Sequence, residues 1–424
     1  MTRVKGAARR TFRALRHRNY RLYFFGQITS FSGTWMQTVA LAWLVLQLTG
    51  SGVALGTVTA LQFLPLLVLG PWAGLIADRF DRRKIVMTTQ ATAGALALAL
   101  GVLAATGSVR LWMLYLLALA LGVVTAIDNP ARQSFVHDMV GPDDLPNAIG
   151  LNTVLFNASR VVGPGIAGAM IAVWGTTPCF FVNAASYTAV FVALSLMRTD
   201  ELHPTGRAER ARGQLREGLR YVWSTPALRT PLLMMAVIGT LAYEFQVTLP
   251  LLAKYTFGGG AGTYGAMTSI IGAGAVLGGL VTASRGGPTP QRVVGSALAF
   301  GLLMLAAAVM PTLSLELVVL PLMGAASITF IALANASLQL AAAPHMRGRV
   351  MALWSVAFFG TTPIGGPFVG WMAEAYGPRA PIAFGAVATI ATAALAWRSL
   401  QRAQVLSVAD EELPLVEESA EAAA

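Results

Sequence analysis

Two charged side chains lie deep inside long apolar segments of this sequence. Arg160 lies about twelve residues into the segment that begins at Ala148. Glu244 lies about twelve residues into the segment that begins at Leu232. A charged group in apolar surroundings costs free energy unless it is paired or has a function. A glutamate there can take up and release a proton, and an arginine can bind an anion; alternatively, the two bridge their segments or satisfy carbonyls of kinked helices.

The other chemistry-bearing residues form no recognisable reaction centre. No nucleophile and base stand in a known catalytic pattern, no His/Cys cluster has metal-ligand spacing, and no G-x-x-x-x-G-K-[ST] motif is present. The single cysteine, Cys179, has no partner for an internal disulfide. The sequence therefore predicts a protein that is not an enzyme and that has no metal ion or other cofactor.

The composition is typical of a membrane protein. Of the 424 residues, 55% are hydrophobic and 12% charged, whereas soluble proteins contain about 25% charged residues. A helix that crosses a bilayer needs about 20 mostly apolar residues, and the first such segment is too long for the core of a signal peptide. The twelve predicted spans are Leu22–Leu48, Val53–Ala77, Ile85–Ala105, Leu111–Ile127, Ala148–Trp174, Pro178–Met197, Leu232–Leu251, Tyr264–Ser284, Val293–Met310, Leu313–Leu333, Val350–Ala375 and Pro381–Trp397.

Lysine and arginine are distributed unevenly between the two sides of these spans. With a cytoplasmic N-terminus, nearly all of the 30 basic residues fall on the cytoplasmic side, and the outside exceptions are Arg110, Lys254 and Arg379. This asymmetry follows the positive-inside rule and predicts that both termini are cytoplasmic. The net charge of +11 is therefore explained by topology, and nucleic-acid binding is not expected.

The spans divide into two sets of six. The predicted parts are a basic cytoplasmic N-terminus (1–21), a six-helix bundle (22–197), a cytoplasmic linker (198–230), a second six-helix bundle (231–402) and an acidic disordered tail (403–424). In the linker, Arg212, Arg216, Arg220 and Trp223 recur at helical spacing. This pattern predicts an amphipathic helix on the membrane surface; a solvated connection between the bundles is the alternative.

A sequence repeat relates the two halves. RVVGPGIAGAMIAVWGTTP, from Arg160, parallels TPIGGPFVGWMAEAYGPRAP, from Thr362, at an offset close to half the chain. Chance similarity between glycine-rich helices is the alternative. Parallel repeats of six helices are typical of one transporter architecture. We therefore predict an all-α membrane protein with twelve transmembrane helices in two halves related by a parallel repeat.

A charged loop motif follows the second apolar segment. Residues 74–83 read G-x-x-x-D-R-x-x-R-R. Its specified positions are Gly74, Asp78, Arg79, Arg82 and Arg83. Glycine allows another helix to approach closely, and an acid at the membrane edge needs a partner. The motif resembles the signature loop of the major facilitator superfamily, from which it departs at Asp81, where a glycine is common.

Other segments extend this resemblance over most of the chain. LRHRNYRLYFFGQ, GTWMQTVALAWLVLQLTGS and DNPARQSFVHDMVGPDDLPNAIGLNTVLFNASRVVGPGIAG resemble the branch that contains enterobactin exporters and macrolide efflux proteins. The glycine-proline segment from Ser159 is similar to a motif of antiporting members. The resemblance implies the major facilitator fold, export, alternating access and the proton-motive force as the energy source.

The resemblance also assigns structural roles. It implies a cytoplasmic latch of the outward-open state formed by Asp78, Arg82 and an acid at the end of span four, for which Asp128 is the expected residue. Three independent surface charges are the alternative. Proline and small residues permit a kinked, closely packed helix pivot. The predicted pivot residues are Gly163, Pro164, Gly168, Gly366 and Pro367.

Arg160 and Glu244 are expected to face a central cavity between the halves. We predict that Glu244 carries the coupled proton, with Asp128 as the second candidate, and that Arg160 binds an anionic group of the substrate or restrains Glu244. Aromatic walls with few polar points suit an amphiphilic ligand, although packing or lipid contact is the alternative for each residue. The other predicted lining residues are Gln37, Gln62, Phe63, Asn157, Tyr243, Gln246, Trp354 and Phe358.

The sequence thus predicts a secondary active transporter that exports a small amphiphilic molecule, such as a drug, antibiotic or siderophore, in exchange for protons. It is expected to be a monomer in the bacterial inner membrane, in contact with membrane lipid. A lysophospholipid flippase on the same fold is the alternative function. A lateral opening beside a hydrophobic groove would favour the lipid, and an enclosed aqueous pocket would favour the drug or siderophore.

Overall fold

The computed structural model describes residues 11–203 and 214–421 of the chain. Within these ranges, the side chains at positions 71, 75, 78, 214–216, 400 and 402–421 are not described. The described backbone is helical apart from short connections, and no β-strand occurs in it. The predicted all-α class is therefore confirmed.

The helices supply twelve crossings of a bilayer. Nine of the described helices are long and apolar enough to cross a membrane, and one of these has 64 residues, enough for two spans. The first span and the two-part eleventh complete the twelve. In order, the spans are Arg18–Thr49, Gly52–Arg79, Arg82–Ala105, the two parts of Leu111–Trp174, Thr177–Ser195, Pro226–Ala242 with Phe245–Leu251, Ala261–Ser284, Pro290–Val309, Leu313–Ala341, Arg347–Phe359 with Thr362–Tyr376, and the first part of Ala380–Glu421.

Turn and capping residues set several of the span ends. Gly50 ends span one and Gly141 separates spans four and five, with φ angles of 65° and 69°, in a region that glycine enters without steric cost. Ser51 and Thr312 cap spans two and ten by accepting hydrogen bonds from the N–H groups three residues later. These local signals place the connections between spans at the two ends of the bundle.

Span four is longer than its apolar segment. The sequence predicts an end at Ile127, but the helix continues to the turn at Gly141. The added part contains Pro130 and several charged residues, which lower the mean hydropathy of this part of the helix. Asp128 consequently lies inside the helix, and Asp138 lies near its end.

Spans seven and eleven are each interrupted near the middle. In span seven the helical conformation stops at Tyr243 and resumes at Phe245, with Glu244 between them at φ −79° and ψ 44°. In span eleven the first helix ends at Phe359, where Pro363 lacks the N–H that would continue the hydrogen-bond pattern. The two interruptions lie at the centre of the second half.

The two halves contact each other along a distal seam, at the end of the bundle opposite the chain termini. Hydrogen bonds across it join Ser51 to Glu374, Lys254 to the Leu46 carbonyl, Tyr255 to the Gly50 carbonyl and Ser269 to the Val161 carbonyl. Backbone contacts between glycines bring the helices close together. The paired positions are Gly52 with Gly370, Gly56 with Gly366, and Gly168 with Gly265.

The opposite end of the bundle has a different pattern of contacts. In the described part of the chain, the hydrogen bonds and aromatic contacts between halves involve residues from mid-helix to the distal end. Near the termini, Arg82 pairs with Asp138 inside the first half, and Glu217 of the linker pairs with Arg349 of the second half. This one-sided pattern of contacts indicates a cleft between the halves that opens toward the end carrying the termini.

The linker and the tail both contain helix. Helix Gln214–Ser224 exposes Leu219 and Trp223 and is tied to the second half by Tyr221, whose hydroxyl accepts a hydrogen bond from the Ala343 N–H. Position 212 and the side chain of residue 216 lie outside the described part. The last helix continues to residue 421, through most of the region for which the sequence predicts a disordered tail, and the disorder of that tail stays a prediction.

Replacing Gly56 with alanine is expected to open the distal seam. The added Cβ would overlap the Gly366 carbonyl, and such overpacking costs roughly 1–3 kcal/mol, a shift of about 5- to 150-fold between conformations. The measurement is labelling of Val53→Cys by an impermeant maleimide, in a Cys179→Ser background.

Gly70→Ala on the same span is the matched control, since no atom lies within 4 Å of its Cβ position. Labelling should rise in Gly56→Ala and stay unchanged in Gly70→Ala. Equal labelling of both variants would contradict the assignment of the seam to glycine contacts.

Candidate functional site

Five aromatic side chains form an aromatic wall where the distal seam gives way to the cleft. In the second half, the Phe358 ring lies 6.3 Å from Tyr243, stacks on Trp354 at 6.2 Å and meets Phe359 edge-on at 4.6 Å. Phe63 of the first half stacks on Phe359 at 6.3 Å. The structure thus brings together four predicted cavity residues and adds Phe359, which the sequence analysis missed although it follows Phe358 directly.

Tyr243 anchors this wall to the rest of the second half. Its hydroxyl donates a hydrogen bond of 2.8 Å to the Ser327 carbonyl of span ten. Its ring also packs at 5.2 Å from Phe300, which is fully buried in span nine. The wall is therefore a fixed surface rather than a set of free side chains.

Arg160 lies beside the aromatic wall on the first half. Its guanidinium carbon is 5.8 Å from the Trp35 ring centroid, a cation–π arrangement, and Tyr243 of the aromatic wall lies nearby. Gly272 of span eight approaches the Arg160 carbonyl. The residue is half-buried and lies at the boundary between the seam and the cleft.

Glu244 is buried at the interruption of span seven. The residue is 4% exposed, and Oε1 of its carboxyl has no hydrogen-bond partner among the described groups. Span eleven contributes the Thr362 hydroxyl, which interacts with the carboxyl, and Gly365, where a Cβ would lie 2.9 Å from Oε1. The expected orientation into the cavity is wrong because the missing side chain of Gly365 leaves space for the carboxyl between the two spans. Arg160 and Glu244 do not form an ion pair.

The predicted polar lining residues occupy different environments. Gln37 is buried inside the first half, where its amide oxygen accepts a hydrogen bond of 2.8 Å from Asn183. Its expected place in the central cavity is wrong because a buried amide needs a partner, which spans one and six provide. Asn157 donates to the carbonyl one turn earlier in its own helix. Gln62 and Gln246 are half-buried on spans two and seven.

A polar network inside the first half surrounds Asp128. Its carboxylate pairs with Arg132, one turn later on span four, and accepts hydrogen bonds from Thr89 at 2.6 Å and Gln90 at 3.3 Å. Arg132 also donates to Gln27 of span one at 3.3 Å. Asp128 is 2% exposed. It therefore lies within the bundle and not at the membrane edge.

The acid that pairs with Arg82 is Asp138. Nη1 of Arg82 lies 2.7 Å and 3.0 Å from the two carboxylate oxygens, and both side chains are largely buried. The assignment of Asp128 to this position is wrong because span four continues past Asp128 and carries Asp138 to the end of the helix. The sequence feature that could have identified this partner is the acid just before the Gly141 turn. The side chain of Asp78 lies outside the described residues.

The remaining residues of the charged loop motif connect span three to span six and cap span three. Arg83 donates hydrogen bonds of 2.9 Å and 2.8 Å to the Leu194 carbonyl at the end of span six. Asp81, the departure from the common motif, caps span three by accepting a hydrogen bond from the Lys84 N–H. Gly74 is buried and Arg79 is exposed.

A second ionic cluster fixes the start of the described chain to the turn between spans four and five. Asp144 pairs with Arg13, Arg16 and His17, and Asn147 accepts a hydrogen bond from the Ala14 N–H. Burial alone would raise the pKa of Asp144, but hydrogen bonds from His17 and Arg13 and the neighbouring arginine charges hold that pKa below its usual range. The carboxylate therefore stays ionised and retains its partners.

The predicted pivot residues lie at contacts between helices. Gly163 packs against Ser32 and Trp35 of span one. Pro164 and Pro367 lie inside their helices, and Gly168 and Gly366 belong to the distal seam. Their role as a pivot stays a prediction.

Replacing Asp138 with asparagine is expected to destabilise the first half. Breaking a buried ion pair by removing one charge costs about 3–5 kcal/mol, so the melting temperature of the purified protein should fall. Asp143→Asn, an exposed acid of the same segment, is the control and should melt like the unmodified protein. Exchanging the charges in Arg82→Asp/Asp138→Arg should restore part of the loss. An unchanged melting temperature in Asp138→Asn would contradict the proposed pairing.

Comparison with known proteins gives a family that matches nearly the whole chain. The family described as transmembrane secretion effector, of the major facilitator superfamily, matches residues 9–419. A multidrug efflux pump, Tap, of Mycolicibacterium fortuitum is 28% identical over 369 residues, which are 85% of this chain and 90% of that protein. The staphyloferrin A transporter of Staphylococcus aureus is 29% identical over 177 residues, 41% of this chain and 45% of that protein.

A solved structure supports the same fold. A bacterial homologue of the human lysosomal transporter Spinster, crystallised in an inward-facing and occupied conformation, superimposes with a TM-score of 0.72 at 15% identity, over 90% of this chain and 96% of that one. With the twelve spans in two repeat-related halves, these matches show that the chain is an integral membrane protein and belongs to the transmembrane secretion effector family of major facilitator superfamily transporters.

Proposed function

We propose that this protein is a proton-coupled exporter of a small amphiphilic molecule, such as a drug, antibiotic or siderophore, and that it acts as a monomer in the inner membrane of a bacterium. The observation that carries the proposal is the aromatic wall, which lies in a cleft between two related halves and next to the buried Glu244. A rigid aromatic surface with few polar points suits an amphiphile. A buried acid at a helix interruption suits a proton carrier.

Alternating access is supported by the one-sided contacts between the halves. The distal seam rests on glycine backbone contacts and a few hydrogen bonds, which can separate without unfolding any helix. Rocking of one half against the other would open the seam and close the cleft. The same aromatic wall would then face the opposite side of the membrane.

Export is supported by the relatives. One is named as a multidrug efflux pump and matches 85% of this chain, and another is named as a transporter of staphyloferrin A. Efflux of a small molecule is therefore the direction that we propose. No resident cofactor is required, because the energy would come from the proton-motive force.

The orientation of the chain is supported by its basic residues. Arg13, Arg16, Arg83 and Arg198 all lie at the end of the bundle that carries the termini. Clusters of arginine next to spans favour the cytoplasmic side. The termini, and the mouth of the cleft, are accordingly proposed to be cytoplasmic.

Proton coupling is proposed for Glu244, with Asp128 as the second candidate. The Glu244 carboxyl is shielded by Gly365 and Thr362 of span eleven, so separation of spans seven and eleven would admit water to it. Asp128 has partners on spans three and four and would exchange its proton only if the Arg132 pair opened. Because the helix is interrupted at Glu244, the surroundings of Glu244 would rearrange more easily than those of Asp128.

Replacing Glu244 with glutamine is expected to abolish uphill export driven by a pH gradient and to leave substrate binding intact, because a neutral amide cannot load and release a proton. The measurement is flux of a fluorescent amphiphile in proteoliposomes with an imposed gradient. Glu201→Gln, which removes a partly exposed acid outside the spans, should export normally.

Two outcomes would change the proposal. Uphill transport by Glu244→Gln at the unmodified rate would move the coupling role to Asp128, which Asp128→Asn would then test. Translocation of a fluorescent lysophospholipid, without export of the amphiphile, would favour the flippase instead.

A further inference from the structure

We infer that the cleft selects amphiphiles that carry an acidic group, and that Arg160 binds this group while the aromatic wall binds the apolar part. The inference rests on the proposed transport function and names the charge class of its substrate. It follows from the position of one guanidinium and from the partners of every acid described near it.

The Arg160 guanidinium lacks an acidic partner. Among the described side chains it forms no ion pair and no hydrogen bond, and it lies over the face of the Trp35 ring. An arginine at this depth in a membrane protein is retained only where it is paired or used. Since its partner is not supplied by the protein, a ligand in the cleft is the remaining source of negative charge.

Three acids of the described spans are engaged elsewhere. Glu244 lies against span eleven, with a Cβ position of Gly365 only 2.9 Å from its Oε1. Asp128 is paired with Arg132 inside the first half. Glu374 accepts hydrogen bonds from Ser51 and the Val53 N–H in the distal seam. The part of the cleft next to the aromatic wall therefore carries the uncompensated positive charge of Arg160.

The surroundings of Arg160 favour binding over simple solvation. The Trp35 ring, 5.8 Å from the guanidinium carbon, restricts the positions open to the planar group, so less freedom is lost when a carboxylate binds. The Tyr243 side chain of the aromatic wall lies near the same guanidinium. A carboxylate at Arg160 would therefore place the attached apolar group against Tyr243 and Phe358.

The size of the effect follows from the kind of bond. A hydrogen bond to a charged group contributes about 1.5–3 kcal/mol, which corresponds to a roughly ten- to hundredfold change in affinity. An acidic amphiphile should bind more tightly than its neutral analogue by this factor.

Two fluorescent probes of the same shape test the inference. Pyrenebutyrate carries a carboxylate, and pyrenebutanol is its neutral counterpart. Binding is measured with the purified full-length protein in nanodiscs, against empty nanodiscs, without any gradient. The unmodified protein should bind the acid roughly ten- to hundredfold more tightly than the alcohol. Equal affinity for the two probes would overturn the inference.

Variants of Arg160 identify the residue responsible. Arg160→Gln should bind both probes with the affinity of the alcohol, and Arg160→Lys should keep part of the preference because it keeps the charge. Unchanged binding of the alcohol shows that each variant is folded. Arg285→Gln, at an exposed loop position, should keep the full preference. A full preference in Arg160→Gln would overturn the inference.

Failure of the transport proposal would give a different result. Loss of the acid preference without loss of gradient-driven flux contradicts only the substrate class. Absence of flux with the acid preference intact contradicts only proton-coupled export.

Discussion

A polar group inside a bilayer must find a partner in the protein or open to water, and this constraint sorts the side chains of the whole structure. Gln37 is satisfied by Asn183, and Asp128 by Arg132, both inside the first half. Lys254 reaches the Leu46 carbonyl across the distal seam. Against this background, Arg160 and Glu244 stand out, because each lies near the junction of the halves with part of its bonding capacity unused.

The same environment explains why the halves meet through glycine. Lipid is as apolar as leucine, so burying large apolar side chains between spans gives little driving force, and close backbone packing becomes the main attraction. At Gly56 and Gly366 the absence of side chains lets spans two and eleven touch. Contacts of this kind place little side-chain bulk between the two backbones, which is consistent with the proposed separation of the halves at the seam.

The sequence predicted the spans and the aromatic wall but misplaced several polar residues. Phe63, Tyr243, Trp354 and Phe358 could be placed together because aromatic residues at mid-span are visible in the sequence. The partner of Arg82 could not be predicted, because the apolar segment of span four ends at Ile127. Polar residues that face the interior of a half, such as Asp128, lower the hydropathy of a helix that nevertheless continues to Asp138.

The burial of Glu244 likewise could not be predicted from the sequence of span seven alone. Its environment depends on span eleven, where Gly365 leaves a space that only the three-dimensional packing reveals. The interruption of span seven could not be predicted from hydropathy, and no proline marks it either. The nearest proline in that span, Pro250, comes six residues after Glu244. Sequence reasoning therefore identified the residue and missed the direction of its side chain.

Separation of Arg160 and Glu244 does not prevent them from influencing each other, because Tyr243 connects their surroundings. Tyr243 precedes Glu244 in the interrupted part of span seven, its ring belongs to the aromatic wall, and it lies near Arg160. Under the proposed mechanism, a rearrangement of the interruption that admits water to Glu244 would move the neighbouring Tyr243 ring and strain its hydrogen bond to the Ser327 carbonyl. If a ligand binds at the wall as we propose, it would oppose that movement, and occupancy of the cleft and access of protons to Glu244 would then be linked through one side chain without an ion pair between the two charges.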